Sequence, residues 1–451
     1  MEDIMKQAIG DIDADYSEIR LERAHSTTLA YMGPVLEETS TVFRYGGCVR
    51  VCIRGGWGFA SFNSVDDAPA SARKAARMAE LVAGGGTVLA PVPTVRARLS
   101  ADVSIDPESV PLEEKVDLLR RYNDILLSDP VVVNTNTVYR DLSKTVWLLN
   151  TDGTYIEREE KTAGMRFMAI AKDGANVQRA HDSVGDRRGY ATVQNREADA
   201  EKVVKNVRDL IRAPKVESGL HSVVLDPTLA GVFIHEAFGH LSESDFIYEN
   251  EQAKEMMKLG RQFGPDILNV VDNGAIEGDL GYIGYDDEGV KKGNTMLIRN
   301  GILTGRLHSR ETAGRMGETP TGNARAISAS FSPIVRMTGT YIEPGETSFE
   351  EMISSVKNGI YACSYLGGMT DLERFTFSSN YAYRIENGKI AGPVRDAILS
   401  GNVFETLKNI EMIGDDLQLL GGLGGCGKGG QSPLPVSTGS PHILIRNVLI
   451  G

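Results

Sequence analysis

The hydrophobic rhythm of the chain changes several times along its length. The first 25 residues read as a short helix followed by a strand, "YSEIRLERA". "TVFRYGGCVRVCIRGGWGFASFNS" then alternates β-branched, aromatic and glycine positions, the period-two pattern of hairpin strands. "APASARKAARMAELVA" and "LEEKVDLLRRYNDILLS" switch to helical spacing and strong helix formers. Several strands follow from Val131 to about Ala191, with a turn at "NTDGT", and then a helix from Arg196 to Ile211. Pro214 and Gly219 punctuate the polar run after it, and a domain boundary is expected there. The expected division is an N-terminal α/β domain over 1–215 and a β-rich C-terminal domain over 216–451. In the second half "HSVVLD" reads as a strand and "PTLAGVFIHEAFGHL" as a helix. Short strands and glycine turns make up the rest, with helices near "SRETAGRM", "SFEEMISSVKN" and "NVFETLKN". The fold class predicted is α+β.

Composition narrows the functions available. A hydrophobic share of 41% and a charged share of 24% are those of a soluble globular protein, and 451 residues suggest two domains. A net charge of -13 argues against nucleic acid or an anionic membrane surface as the main partner. The acidic N-terminal stretch has no secretory pattern, and no run of 18 apolar residues suggests a membrane span. The four cysteines are Cys48, Cys52, Cys363 and Cys426. In "CVRVC" an extended strand would hold the two thiols too far apart for a disulfide, so a reducing cytoplasm is expected.

One helix carries candidate chemistry. Asp226-Pro227 makes a good helix start, an acceptor for free N–H groups followed by a proline at the first turn. Ala230, Phe233, Ile234, Ala237, Phe238 and Leu241 then form one apolar stripe, which puts His235, Glu236 and His240 on the other side. In a regular helix residues five apart diverge by about 140°, too wide for two rings to share an ion. A π-bulge would restore the needed approach, and Gly239 is a natural place for it. Two polar-face histidines with nothing bound remain the plainer alternative.

The other candidate is "GGLGGCGKGG", residues 421–430, which nearly spells a phosphate-binding loop. Such a loop needs Ser or Thr after its Lys and a helix to follow, whereas Gly429 and a proline-bearing extended run come next. A glycine strap delivering Cys426 to a metal is the better reading, with a chance glycine turn as the alternative. Two histidines, one thiolate and a water make a recognised open zinc set, in which the water's pKa falls toward about 7. Glu236 would take that water's proton and pass it to a leaving amine. Lys428 reads as an exposed loop lysine, with stabilisation of an oxyanion as its functional alternative.

"HEAFGHLSESD", "GYDDEGV" followed by "LIRNGILTGRLHSRETA", "NARA" with "RMTGTYIEPGE", and "GGCGKGGQ" resemble, in that order, the TldD/PmbA family of metallopeptidases, long called modulators of DNA gyrase. "YGGCVRVCIRGGWGFAS" resembles the family's N-terminal hairpin, so the likeness covers nearly the whole chain. It implies a zinc-dependent peptidase acting on unfolded or short peptides, with metal-bound water as nucleophile and the β-rich domain carrying the metal-site helix. It further implies His235, His240 and Cys426 as ligands and Glu236 as the catalytic glutamate. With all four present the chain resembles the TldD-type, metal-binding subunit, expected to dimerise with itself or with a paralogous metal-free subunit. Thiolate and imidazole donors favour zinc and leave Fe²⁺ or Mn²⁺ open.

"HLSESD" departs from the glycine-bearing segment of many members. Asp245, and after it Glu243, become candidates for orienting a ligand, against a solvated acidic loop as the plainer reading. His308 is assigned capping or packing, and His25, His181, His221 and His442 have no partner pattern. Two other classes stay open: a metal-independent cysteine hydrolase using Cys426, and a non-enzymatic peptide-binding or assembly protein.

Overall fold

The computed structural model describes residues 1–371 and 373–451. The N-terminal half is built on one long sheet of β1 (Tyr16–Met32), β2 (Val35–Ile53), β3 (Gly56–Phe62), β4 (Arg96–Leu99), β5 (Val132–Asn150), β6 (Tyr155–Asp173) and β7 (Asn176–Asp186). Strand order is β3-β2-β1-β5-β6-β4, with β7 also pairing β6; the pairing of β4 with β6 is parallel and the others are antiparallel. Four helices accompany it: α1 (Glu2–Ile9), α2 (Ala68–Leu81), α3 (Leu112–Leu126) and α4 (Glu197–Arg212). The strand read as "YSEIRLERA" runs on to Met32, because "STTLAYM" keeps a β-compatible composition and is paired on both sides, by β2 and β5.

Alternation along β1 decides what each face meets. Ile19 and Leu21 point into a core with Met5, Val49, Val51 and the alanine stripe of α2, Ala68, Ala72, Ala75 and Ala79. A second core joins Leu29 of β1 to Leu119 and Tyr122 of α3 and Val203 and Val207 of α4. The intervening residues Glu18, Arg20 and Glu22 are charged and nevertheless buried, because they face the C-terminal half. Arg20 Nη1 lies 2.7 Å from Asp287 Oδ2, and Arg50 Nη2 lies 2.8 Å from Glu288 Oε1. Asp287 and Glu288 of "GYDDEGV" are thus counter-charges for the sheet. Buried charges need such partners, and the two halves supply them to each other.

The C-terminal half opens with β8 (Gly219–Leu225) and α5 (Pro227–Ile234). β8 lies between Asn358–Asp371, its parallel neighbour, and Ile443–Ile450, its antiparallel one. The sheet continues through Ile398–Asn402, Arg374–Glu386 and Lys389–Val394, and Arg374–Glu386 also pairs Asn358–Asp371, closing the sheet on itself. A second sheet runs Ile302–Leu303, Asn294–Arg299, Val270–Asn273, Gly339–Ile342, Ser437–Ser440 and Gln418–Leu420. α5 contacts strands of both sheets, and its apolar residues share one core with Val270, Ile342, Phe375 and Phe377. The whole is an α+β fold.

Candidate metal centre

Asp226 begins α5 as the sequence suggests. Its Oδ1 accepts from Leu229 N at 2.8 Å, and both oxygens accept from Ser364 N at 2.9 Å, tying the helix start to the strand Asn358–Asp371. Ala230, Phe233, Ile234, Ala237, Phe238 and Leu241 are all buried. The regular helix stops at Ile234; His235–Gly239 forms a π-helical segment, and His240–Ser242 one 3₁₀ turn. The wide turn brings the rings of His235 and His240 to 5.2 Å between centroids, nearly perpendicular at 83°.

Gly239 lies within this segment for a reason of space. Its φ of -55° and ψ of -51° are ordinary right-handed helix, open to any residue. A Cβ there would overlap Met337 Sδ and stand 3.2 Å from the Met337 methyl carbon. The glycine is needed for the close approach of Met337, and backbone freedom is not what selects it.

The glycine cluster is a β-hairpin. Cys426–Lys428 pairs Gln431–Leu434 across a turn at Gly429 and Gly430, whose φ of 57° and 74° are glycine conformations. Neither a phosphate loop nor a loose strap is present, since ladder hydrogen bonds hold the segment extended. Arg336, fully buried between Val335 and Met337, donates through Nη2 to Cys426 O at 2.6 Å and through Nη1 to Gln431 O at 3.2 Å. Nothing in the sequence analysis singled out Arg336; an arginine set among apolar residues with no acid nearby was the one signal available.

The hairpin delivers Cys426 Sγ to 3.3 Å from His240 Nε2. One atom each from His235, His240 and Cys426 all lie within 4.8 Å of one another. Burial works to raise the Cys426 thiol, but its hydrogen bonds to His235 and His240 and their charge outweigh it and bring the pKa down to about 5. Burial opposes the charge on His240, yet the contacts with Cys426 and Glu243 raise it to about 10. Sulfur therefore carries negative charge near neutrality, the form that ligates. His235 Nδ1 is buried with no hydrogen-bond partner. Two imidazoles and a thiolate whose donor atoms lie within 4.8 Å of one another, one of the rings with a buried nitrogen left unpartnered, fit a divalent ion such as zinc. Glu236, with its side chain 32% exposed, sits at the open side, its Oε2 3.9 Å from His240 Nε2.

Three expectations need correction. The acidic stretch after His240 is no solvated loop: Glu243 is 1% exposed, and its Oε2 lies 2.9 Å from His240 Nδ1. Between the two carboxylates, Glu243 is the one that meets a ring, while Asp245 holds Val335 N at 3.1 Å and Lys428 Nζ at 2.6 Å. Lys428 is no exposed loop lysine either, being half-buried on the hairpin strand with its charge on both acids. The 3₁₀ turn ends the helix before Glu243 and brings that side chain to His240, while the hairpin strand of Cys426 brings Lys428 to the same carboxylate.

The remaining residues behave structurally. His308 packs with Thr312, Glu318 and Ser244 around its ring nitrogens. His442, given no role from sequence, is held between Asp416 Oδ2 at 2.6 Å and Tyr361 OH at 2.9 Å. Cys48, Cys52 and Cys363 are buried free thiols. Among the described residues no helix is long and apolar enough to cross a membrane.

Comparison with known proteins agrees with this geometry. Models of the PmbA/TldA metallopeptidase family match as domain 1 over 17–83, as the central domain over 105–213 and as the C-terminal domain over 218–451. A metalloprotease of Synechocystis sp. is 44% identical over 440 residues, covering 97% of this chain and 95% of that one. A zinc metalloprotease TldD homologue of Saccharolobus solfataricus is 30% identical over 343 residues, covering 75% of this chain and 76% of the relative. The crystal structure of TldE from Thermococcus kodakarensis superposes with a TM-score of 0.82 at 18% identity, over 100% of this chain and 99% of that one, a likeness of fold. This sets aside the metal-independent cysteine hydrolase and the non-enzymatic binding protein: the chain belongs to the PmbA/TldA metallopeptidase family and is a peptide hydrolase.

Proposed function

We propose that this chain is a zinc peptidase acting on unfolded or short peptides, with His235, His240 and Cys426 as ligands and Glu236 as general base and acid. The reading rests on one observation, the convergence of donors from a helix and a hairpin 186 residues apart in sequence to within 4.8 Å. The name of the S. solfataricus relative supports zinc among the divalent ions. An ion held there supplies Lewis acidity, activating water and polarising the scissile carbonyl. The chain's residues do the rest. His240 donates through Nδ1 to Glu243, which leaves Nε2, 3.3 Å from Cys426 Sγ, as the nitrogen that would hold the ion once it gives up its proton. Glu236, on the accessible side and next to a ligand, takes a proton from water and returns it to the departing amine.

Burial supports the substrate class. His235 is 3% and Cys426 4% exposed, so a scissile bond reaches them only on a chain free to bend into the site. A reduced Cys426 suits a cytoplasmic location. Dimerisation, with itself or a paralogous metal-free subunit, is supported by the outer half of β2: β3 covers β2 only over Gly47–Ile53, which leaves Val35 and Phe43 exposed beside an open edge.

The test is elemental analysis of wild type, Cys426→Ser and Glu236→Gln together with an assay on an unstructured peptide. Wild type should carry zinc and cleave. Cys426→Ser should lose both metal and turnover, and Glu236→Gln should keep the metal and lose about 10²–10⁴-fold in kcat. Metal-free wild type that cleaves at full rate, or Glu236→Gln at wild-type rate, would overturn the reading.

A further inference from the structure

Beside the three donors runs a second chain of contacts. Lys428 lies two residues after Cys426 on the same strand. Its Nζ stands 3.0 Å from Glu243 Oε2 and 2.6 Å from Asp245 Oδ1, and donates to Val335 O at 2.8 Å. Glu243 Oε2 also accepts from His240 Nδ1 at 2.9 Å. Oε1 of Glu243 has no hydrogen-bond partner, so among the described residues His240 and Lys428 are the groups that its buried carboxylate meets. The contacts close a circuit from Cys426 along its strand to Lys428, through Glu243 to His240, and back across 3.3 Å to Cys426.

We propose that Lys428 is a positioning residue for the metal centre: by holding Glu243 against His240 it fixes the ring orientation and tautomer of one imidazole ligand from the strand that carries the thiolate ligand. The proposal rests on the reading of His240 and Cys426 as ligands. His240 needs such a restraint. It sits where the π-helical segment gives way to a single 3₁₀ turn, and its side chain is 26% exposed. Packing on all sides does not hold the ring, so its orientation depends on the Nδ1 partner. Glu243 in turn depends on Lys428, since a buried carboxylate with one imidazole contact and a bare second oxygen has no other group to keep it in place. Lys428 is itself anchored twice, by Asp245 and by the Val335 carbonyl. Asp245 Oδ2 accepts from Val335 N at 3.1 Å, so the lysine and its acid grip one backbone segment. Ligand-orienting groups of this kind are worth about 10–100-fold in metal affinity.

The experiment compares the full chain as wild type, Cys426→Ser, Lys428→Met, Lys428→Arg, Glu243→Gln and the Lys428→Met/Glu243→Gln double variant. Zinc affinity is measured by competition with a chromophoric chelator, and the cobalt-loaded forms by visible absorption. Lys428→Met and Glu243→Gln should each weaken zinc about 10–100-fold. The double variant should be no more than about twofold weaker than the worse single one, because both break one circuit. Lys428→Arg should recover most of the affinity and the wild-type cobalt bands, which Lys428→Met alters. Glu243→Gln, nearly isosteric, carries the test where Lys428→Met does not fold. Wild-type zinc affinity with an unchanged cobalt spectrum in Lys428→Met, or single losses that multiply in the double variant, overturns the proposal alone. A wild type that binds no zinc, or that binds it as tightly as Cys426→Ser, overturns the ligand reading and this proposal with it.

Discussion

Replacing Gly239 by Ala tests how the histidine pair is brought together. The added Cβ overlaps Met337 Sδ, and its 3.2 Å to the Met337 methyl carbon is short of the ordinary 3.5–4.0 Å or so between carbons. Met337 is fully buried against Phe238 and its neighbours in the C-terminal core, so it has no free space to take. Overpacking of this kind costs about 1–3 kcal/mol, and the overlap with sulfur puts Gly239 at the upper end. Alanine's helix propensity offsets about 1 kcal/mol, since Gly239 already has helical dihedrals. The net loss expected is about 2 kcal/mol, or about thirtyfold in a local opening equilibrium. Tryptophan fluorescence would not report it, because Trp57 and Trp147 both lie in the N-terminal half. Amide hydrogen exchange of residues 227–242 does, and should speed up about thirtyfold. Met337→Ala combined with Gly239→Ala should cost less than the sum of the two singles, since each relieves the other. Exchange in Gly239→Ala as slow as in wild type would show that Met337 moves aside freely, and the spatial account of this glycine would be wrong.

Two further expectations follow from buried charges. Asp272 is fully buried on Lys292 Nζ at 2.9 Å, and although burial raises its pKa, Lys292 and the donors Thr338 and Asn323 bring it down from 3.8 to about 2. Its contribution, about 2 kcal/mol, is complete above about pH 4 and is lost as pH falls toward 2. In acid titrations of stability, the gap between wild type and Asp272→Asn should therefore close between about pH 4 and 2; a gap that persists at pH 2 contradicts it. Arg336→Met takes a charged donor from two hairpin carbonyls, and exchange over residues 424–434 should rise about tenfold while chelators strip the metal faster. Unchanged exchange there would mean that the hairpin ladder alone holds Cys426.

Local pattern reached far into this protein. Alternation marked the N-terminal hairpin, the stripe from Ala230 to Leu241 marked the buried side of the site helix, and the five-residue spacing of His235 and His240 called for the π-helical segment that is present. Failures arose where a residue's setting depends on a distant segment. Glu18, Arg20 and Glu22 alternate with apolar residues as on a solvated strand face, yet all three are buried, Arg20 on Asp287, Glu18 on Arg50 and Glu22 on the Ala329 N–H. Gly239 was a plausible place for the π-bulge from sequence, but only Met337, far along the chain, explains why that position is glycine.

From its order of residues alone the chain determined its helices and strands, the donors available for a metal and the family to which it belongs, because periodicity, capping and motif spacing act over a few residues. The tertiary structure alone decided that Glu243 and not Asp245 meets His240, that Lys428 is bound into the site, and that Arg336 clamps the strand of Cys426. Ion pairs and close contacts are set by which surfaces the fold presses together, and that depends on the burial of the whole core.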